Sequence, residues 1–200
     1  MFLLSLRARG VFDTNVLRAM ELVPRDLFAP RRFADLARSE VALPLACGQT
    51  MTGPASVAAM LVALDVKPGH RVLEIGTGSG YVAALLARMG ATVTTVERHA
   101  ILADSAALRL AAAGIGDAVA VATGDGLAAA IDERFDRILL NGSVFAVPPA
   151  LTSCLPAGGR AVGALASGLG PVLATVIRRP DGSLSTQRGS VLRIAPLVES

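Results

Sequence analysis

The sequence of 200 residues has few of the side chains that bind metals or act as nucleophiles. It contains no tryptophan, one tyrosine, two cysteines and two histidines. Cys47 and Cys154 lie far apart and lack metal-ligand spacing, so we expect two reduced, partly buried thiols in preference to a catalytic Cys47. His70 and His99 show no spacing that pairs either of them with a nucleophile. We therefore expect no metal site.

Charge and long apolar runs are also scarce. Charged residues make up 18% of the chain, the net charge is +3, and no basic stripe alternates with aromatic residues, so we expect no nucleic-acid partner. The apolar start is interrupted by Arg7 and Arg9, too early for a signal peptide, and no run approaches the length of a membrane span. We therefore expect a soluble, cytoplasmic protein that does not bind membranes.

What the sequence has in excess is small apolar residues, which raise the apolar content to 52% and suit helices packed on a buried parallel sheet. Helical spacing of apolar residues within 11–39 is followed, from Pro54 onward, by alternating strands and helices. A turn at residues 180–182 joins the last two strands. The predicted strands are residues 71–75, 92–97, 119–121, 137–140, 161–165, 172–177 and 191–194.

This succession predicts an α/β fold with a seven-stranded, doubly wound, mostly parallel sheet that ends in an antiparallel hairpin. No linker or repeat interrupts the chain. We therefore expect one domain over residues 1–200. Residues 1–53 form an N-terminal helical cap with a loop, and residues 54–200 form the α/β core.

The clearest motif follows the first predicted strand and reads Glu74-Ile75-Gly76-Thr77-Gly78-Ser79-Gly80. A strand, three glycines and an immediate helix form a tight turn with free backbone amides, which suits a dinucleotide or S-adenosylmethionine. The dinucleotide pattern places its third glycine three positions after the second, where this chain has Tyr81. Glu74 suits a ligand with an ammonium and a sulfonium group better than a pyrophosphate. A structural turn without a ligand is the alternative.

Two acidic residues follow the next two predicted strands. Glu97 comes 21 residues after Gly76, where a carboxylate can accept hydrogen bonds from both ribose hydroxyls. Asp125, between two glycines, can accept from the exocyclic amine of adenine, although alone it is typical of a turn. Because ligands of open α/β sheets bind at the carboxyl ends of the strands, the three features predict S-adenosylmethionine as cofactor and S-adenosyl-L-homocysteine as product.

A second set of motifs lies mostly in the N-terminal half. It comprises residues 9–13, 16–20, 23–30 and 43–45, and above all Gly48-Gln49-Thr50-Met51-Thr52-Gly53-Pro54. On these residues, and on the more widely shared 69–80 and 124–126, the chain over residues 6–196 resembles the protein-L-isoaspartate (D-aspartate) O-methyltransferase family. The resemblance implies a class I S-adenosylmethionine-dependent methyltransferase (Rossmann-like) fold.

The resemblance also implies protein repair. Members of the family methylate the free carboxylate of isoaspartyl (D-aspartyl) residues in damaged proteins, and the ester promotes return to a cyclic imide and then, in part, to a normal peptide bond. An α-carboxylate, with a pKa of roughly 3.3–3.7, is ionised at neutral pH and needs no general base. Catalysis then comes from alignment and exclusion of water. The implied partners are isoaspartyl peptides or proteins, and we expect a monomer or weak homodimer.

The expected site residues combine the motifs described above with what the resemblance implies. Thr52 stands where the family has an active-site serine and is the expected catalytic residue, with a helix N-cap ahead of Pro54 as the alternative. Asn141 is expected near the methyl donor, or is a turn residue before Gly142. The expected cofactor-binding residues are Gln49, Thr50, Thr52, Glu74, Gly76, Thr77, Gly78, Ser79, Gly80, Glu97, Arg98, Asp125, Gly126 and Asn141.

Several positions depart from the family pattern, and all of them flank the expected acceptor pocket. Gly53 and Ala55 replace larger residues, residues 141–143 replace Thr-Ala-Ala, and residues 164–166 replace a Pro-x-Gly motif. Two alternatives therefore stay open beside isoaspartyl methylation. One is methylation of another carboxylate, and the other is a paralogue that binds S-adenosylmethionine as a sensing or interaction module.

Overall fold

Two β-sheets form the framework of the computed structural model, which describes residues 2–128 and 133–197. A short hairpin pairs β1 (Leu43–Pro44) with β2 (Thr50–Met51). The bounds of the remaining strands are β3 Arg71–Ile75, β4 Thr92–Glu97, β5 Val119–Thr123, β6 Arg137–Val144, β7 Arg160–Leu165, β8 Val172–Arg178 and β9 Leu184–Val191. They form one sheet in the order β5-β4-β3-β6-β7-β8-β9.

The helices connect these strands and cover them. Their bounds are α1 Phe2–Ala8, α2 Thr14–Leu22, α3 Pro54–Leu64, α4 Tyr81–Arg88, α5 Ala100–Ala112 and α6 Pro149–Ser153. Helix α3 packs on β6, β7 and β8, whereas α4 and α5 pack on β4 and β5. Short 3-10 turns occupy Arg25–Leu27, Arg31–Leu36, Ala46–Gly48 and Gly116–Ala118.

The strand directions confirm the predicted α/β sheet. Strands β5, β4, β3, β6 and β7 pair in parallel, and β8 runs antiparallel to both β7 and β9. From β3 the chain passes to β4 and β5 on one side and then to β6 on the other. The topological switch point therefore lies between the carboxyl ends of β3 and β6, where ligands of open α/β sheets bind.

The last strand is the one that the sequence misplaced. Residues 191–194 were the predicted strand, but β9 spans Leu184–Val191 and follows directly on the turn at 180–182. Every residue of β9 is exposed except Ser185, which is half-buried. A polar strand at the sheet edge has no apolar run to reveal it, and the apolar residues after it, Leu192 and Ile194, pack on the core as irregular chain.

The N-terminal cap packs directly on the core. Asp13 begins α2 by accepting hydrogen bonds from the backbone N–H groups of Asn15 (3.0 Å) and Val16 (2.9 Å). Phe28, fully buried, contacts Tyr81 at the start of α4, with ring centroids 5.8 Å apart. Buried residues of the cap and of the α/β core belong to one hydrophobic cluster. That continuity is consistent with one domain over residues 1–200, which stays a prediction.

The structure bears on the two predicted buried thiols and on the expected absence of a membrane span. Cys154 is buried but Cys47 is exposed, so only one of the two thiols is shielded as expected. Within residues 2–128 and 133–197, no helix has the length and apolar character needed to cross a membrane.

Replacing Phe28 by alanine is expected to lower the free energy of unfolding by about 3–5 kcal/mol, because it leaves a cavity between the cap and α4. Urea unfolding followed by circular dichroism measures this. Phe12→Ala is the matched control, since Phe12 is 72% exposed and its loss is expected to cost less than about 0.5 kcal/mol. Equal effects of the two substitutions would contradict the packing role of Phe28.

Candidate active site

The carboxyl ends of β3, β4 and β6 open into a cleft that the loop before α3 covers on one side. The glycine loop, residues 76–80, follows β3. Gly76, Gly78 and Gly80 have φ angles of +92°, +54° and +86°, a region that side chains disfavour. The Gly76 N–H donates to the carbonyl of Val96 (2.8 Å), so the start of the loop is held against β4. The three predicted glycines therefore have the backbone conformation that explains their presence.

Glu97, the last residue of β4, also holds the glycine loop through its side chain. Its Oε2 accepts from the N–H of Gly78 (2.8 Å), and its Oε1 accepts from the N–H of His99 (3.0 Å). The side chain is buried and also lines the cleft. Because each carboxylate oxygen has more than one acceptor position, Glu97 can hold these amides and still accept from a ligand.

Glu74 lies deeper than the sequence suggested. Its side chain is fully buried and does not line the cleft. Oε2 accepts from the hydroxyl of Thr95 on β4 (2.7 Å), and Oε1 accepts from Nδ2 of Asn141 on β6 (3.2 Å). Burial raises the pKa of the Glu74 carboxyl to about 8, assisted by the nearby charge of Glu97 and opposed by these two hydrogen bonds.

Asn141 connects this buried carboxyl group with the two loops of the cleft. Its Nδ2 also donates to the carbonyl of Gly76 (3.1 Å), and its Oδ1 accepts from the hydroxyl of Thr52 at 3.4 Å. One amide side chain therefore contacts the glycine loop, Glu74 and the predicted catalytic threonine. The position was predicted from the resemblance, but Thr95, the other partner of Glu74, was not. Nothing in the sequence singles out Thr95, because it is one of several threonines in a β-branched strand.

The acceptor loop, residues 48–54, leads into α3. The interpretation of Thr52 as a helix N-cap is wrong, because Gly53 is the N-cap residue of α3. Glycine has no side chain that could accept a hydrogen bond from the first turn of the helix. Instead, the carboxylate of Glu40 accepts from the N–H of Ala55 at 3.0 and 3.1 Å. Glu40 thus supplies an acceptor at this helix end, and the Thr52 hydroxyl donates to Asn141 and not to the helix.

Asp125 lines the cleft beyond the carboxyl end of β5. Its Oδ1 accepts from the N–H groups of Leu127 (3.0 Å) and Ala128 (3.3 Å), which is the turn geometry that the sequence left open as an alternative. A turn of this kind also fixes the direction of the carboxylate. Next to it, a side chain on Gly126 would meet Ile75 at 2.6 Å, so glycine leaves room for close packing there.

Most of the predicted site residues line this one cleft, and two do not. Glu74 lies behind Asn141, and Gly80 packs against Ala106 of α5, where an added Cβ would lie 3.2 Å from the Ala106 Cβ. The predicted residues that do line the cleft are Gln49, Thr50, Thr52, Gly76, Thr77, Gly78, Ser79, Glu97, Arg98, Asp125, Gly126 and Asn141.

The cleft also contains residues that the sequence did not indicate. Apolar side chains form part of its walls, and a C-terminal segment closes one side. Ser143 N–H donates to the carbonyl of Ala195, and Leu197 N–H donates to the carbonyl of Ser143, both at 2.9 Å. Such a long-range contact has no local pattern. The additional lining residues are Met51, Val57, Ile75, Tyr81, Val82, Val96, His99, Leu127, Ala195, Pro196 and Leu197.

Metal ligands do not cluster in the part of the chain that the structure describes. No three His, Cys, Asp or Glu side chains there are close enough to share an ion. The cleft instead offers carboxylates, hydroxyls and the side-chain amides of Gln49 and Asn141 between apolar walls. That combination suits a ligand with both polar and apolar parts.

Comparison with known proteins identifies relatives over the full chain. Residues 1–200 match the family described as Protein-L-isoaspartate(D-aspartate) O-methyltransferase (PCMT). A protein-L-isoaspartate O-methyltransferase of Rhodopseudomonas palustris (strain BisA53) is 45% identical over 201 residues, which cover 98% of this chain and 91% of that protein. One of Rhodospirillum rubrum is 40% identical over 199 residues, with the same coverage of both chains.

Solved structures show the same fold at lower identity. A Plasmodium falciparum structure assigned to the protein-L-isoaspartate O-methyltransferases, in complex with S-adenosyl-L-homocysteine, has a TM-score of 0.82 and 19% identity, covering 100% of this chain and 97% of that one. A second protein-L-isoaspartate O-methyltransferase has a TM-score of 0.83 and 23% identity, covering 99% and 65%. The predicted class I methyltransferase fold is confirmed.

The raised pKa of Glu74 predicts how stability depends on pH. In the unfolded chain this carboxyl ionises near its ordinary pKa of 4.5, whereas in the folded protein it stays protonated up to about 8. Between these values the folded state binds one proton more than the unfolded state. The associated stabilisation is therefore fully present below pH 4.5 and is lost as pH rises toward 8, with a slope approaching about 1.4 kcal/mol per pH unit.

Urea unfolding of the wild type and Glu74→Gln over about pH 5 to 8 tests this. The free energy of unfolding of the wild type is expected to fall relative to that of Glu74→Gln, because glutamine cannot ionise. Glu21→Gln is the control, since Glu21 is exposed on α2. Parallel pH curves for the wild type and Glu74→Gln would contradict the raised pKa.

Proposed function

Because the chain belongs to the protein-L-isoaspartate(D-aspartate) O-methyltransferase family, we propose that it methylates the free carboxylate of L-isoaspartyl or D-aspartyl residues in damaged proteins. It is an S-adenosylmethionine-dependent methyltransferase, and S-adenosyl-L-homocysteine is its product. The observation that carries the proposal is the match to the family over all 200 residues, including the acceptor loop as well as the widely shared glycine loop.

The chemistry of the cleft fits this cofactor. At one end, Glu97 and Asp125 offer carboxylate oxygens for the ribose hydroxyls and the adenine amine. The apolar side chains of Ile75, Val96 and Leu127 line the same cleft and suit a flat base. At the other end, the glycine loop and Asn141 suit the amino-acid part. All these assignments are proposals that rest on the chemistry of the lining residues.

Glu74 contributes to the same end from behind. The ligand carries an ammonium and a sulfonium group, and a positive charge near a buried carboxyl favours its ionised form. Asn141 donates to Glu74 through Nδ2, so Glu74 also orients the amide whose Oδ1 accepts from Thr52. In this arrangement Glu74 acts on the cofactor through Asn141 and, once the bound positive charge favours its ionised form, through its own charge.

The acceptor half of the reaction needs positioning and little acid–base chemistry. S-adenosylmethionine supplies an electrophilic methyl group on a sulfonium, and the acceptor carboxylate is already ionised at neutral pH. When an acceptor binds, the Thr52 hydroxyl can exchange its 3.4 Å contact with Asn141 Oδ1 for a hydrogen bond donated to that carboxylate, which fixes the direction of the carboxylate. The apolar walls and the C-terminal segment exclude water, which strengthens these polar contacts.

The monomeric or weakly dimeric state, the absence of nucleic-acid and membrane partners, and the cytoplasmic location stay predictions. Isoaspartyl-containing peptides or proteins are the proposed acceptors.

Incubation with labelled S-adenosylmethionine and an isoaspartyl peptide, beside its normal aspartyl twin, tests the function. A base-labile methyl ester is expected on the isoaspartyl peptide alone.

Thr52→Val is expected to lower kcat about 10- to 100-fold, because it removes a hydrogen bond to a charged group. Thr52→Ser restores the hydroxyl and most of the rate, and Thr186→Val on exposed β9 is the control.

Each contrary result has a distinct meaning. Cofactor binding without an ester on either peptide would overturn isoaspartyl methylation and leave another carboxylate or a binding module. Full activity of Thr52→Val would overturn only the role of its hydroxyl.

Glu97→Ala tests the cofactor end of the cleft. Loss of a buried charged acceptor is expected to weaken binding of S-adenosylmethionine by about 1–3 kcal/mol, measured by calorimetry. Glu21→Ala on the exposed face of α2 is the control, and circular dichroism checks that both variants are folded. Unchanged affinity of a folded Glu97→Ala protein would mean that the ribose binds elsewhere.

A further inference from the structure

Arg25 belongs to residues 23–30, a segment that carries the family resemblance but lies outside the cleft. It starts the 3-10 turn Arg25–Leu27, directly after α2, and its side chain is only 2% exposed. Burial lowers the pKa of the guanidinium, and the nearby Tyr81 and Glu40 oppose this shift. Burying a cation costs free energy unless hydrogen bonds compensate for the lost water.

The guanidinium donates to four backbone carbonyls from two distant parts of the cap. Nη1 donates to Ala37 (2.8 Å), and Nη2 lies within donor distance of Val41 (3.1 Å), Met51 (3.3 Å) and Thr52 (3.0 Å). Nη2 has only two hydrogens for these three acceptors, so at least one hydrogen is shared. The negative ends of the four carbonyl dipoles surround the charge and offset part of its desolvation.

Two of these carbonyls belong to the acceptor loop. Met51 ends β2, and the hairpin of β1 and β2 has only two residues in each strand. A two-stranded hairpin of this length is not stable by itself, so the loop needs an anchor from elsewhere in the fold. Arg25 provides it at the residue whose hydroxyl faces Asn141.

We propose that Arg25 is a positioning residue of the active site, whose guanidinium holds the backbone of Met51 and Thr52 so that the Thr52 hydroxyl stays beside Asn141 in the cleft, where an acceptor carboxylate can receive its hydrogen bond. This inference rests on the proposed function for the role of Thr52. It does not require any contact between Arg25 and a substrate.

Lysine cannot replace arginine in this role. A guanidinium presents its donors in a planar fork that reaches carbonyls on both sides, whereas an ammonium concentrates three donors at one point. Arg25→Lys therefore keeps the charge and most of the side-chain length but loses the span from Ala37 to Thr52. This difference separates a geometric role from a purely electrostatic one.

The test compares Arg25→Met and Arg25→Lys with Arg18→Met, which removes an exposed arginine from neighbouring α2. All assays run at a temperature at which circular dichroism shows each variant folded. Both Arg25 variants are expected to lower kcat with the isoaspartyl peptide by at least about tenfold while the Kd for S-adenosylmethionine changes less than about threefold. A general folding defect would instead lower kcat and weaken binding of S-adenosylmethionine together.

A double variant tests whether Arg25 acts through Thr52. If it does, Arg25→Met should cost little further rate in the Thr52→Val background, because the hydroxyl that it positions is absent. Rate losses that multiply would overturn the proposal, and so would wild-type kcat in Arg25→Met or full rescue by Arg25→Lys.

Hydrogen exchange supplies a readout that does not depend on activity. Arg25→Met is expected to speed amide exchange in residues 41–53 and leave β3, β4 and β6 unchanged. If the wild type fails to methylate the peptide but this loop exchanges faster in the variant, the proposed function fails and the positioning role stands. Unchanged exchange in the loop would overturn the positioning role whatever the activity.

Discussion

Three neighbouring strands of the sheet meet on the buried carboxyl group of Glu74. The two carboxyl oxygens accept hydrogen bonds from Thr95 on β4 and Asn141 on β6, and Glu74 itself belongs to β3. Burying a carboxyl group without hydrogen-bond partners costs free energy of folding. The hydrogen bond to Glu74 therefore also fixes the side chain of Asn141. Asn141 in turn reaches Gly76 and Thr52. The cofactor half and the acceptor half of the cleft therefore share one polar connection.

A second buried charge holds the cleft from the side of the cap. Arg25 donates to carbonyls that come from before the β1–β2 hairpin, from its last residue and from the residue after it, and two of them belong to the acceptor loop. The sheet supplies rigid strand ends, but the acceptor loop has little regular structure of its own. The fold thus combines a preorganised cofactor site on strand ends with an acceptor site whose geometry depends on packing of the cap.

The sequence was most informative where one local pattern had one structural solution. The bounds of β3 and β4 match the predicted strands, since β3 is a short buried segment between turn residues and β4 is rich in β-branched residues. The positive φ angles at Gly76, Gly78 and Gly80 were implied by the glycines themselves. It was least informative for β9, whose polar residues resemble a loop, and for Thr52, where a local capping pattern competed with a tertiary contact.

The sequence by itself determined the class of fold, the glycine loop and the acidic residue that ends β4, because strand periodicity and tight turns depend on neighbouring residues. The resemblance of whole segments added the acceptor loop and its chemistry. Only the tertiary structure decided that Glu74 is shielded from the cleft, that Glu40 caps α3 in place of Thr52, and that residues 195–197 close one wall. Each of these depends on groups far apart in the chain, whose meeting is set by the packing of the whole domain and leaves no local pattern.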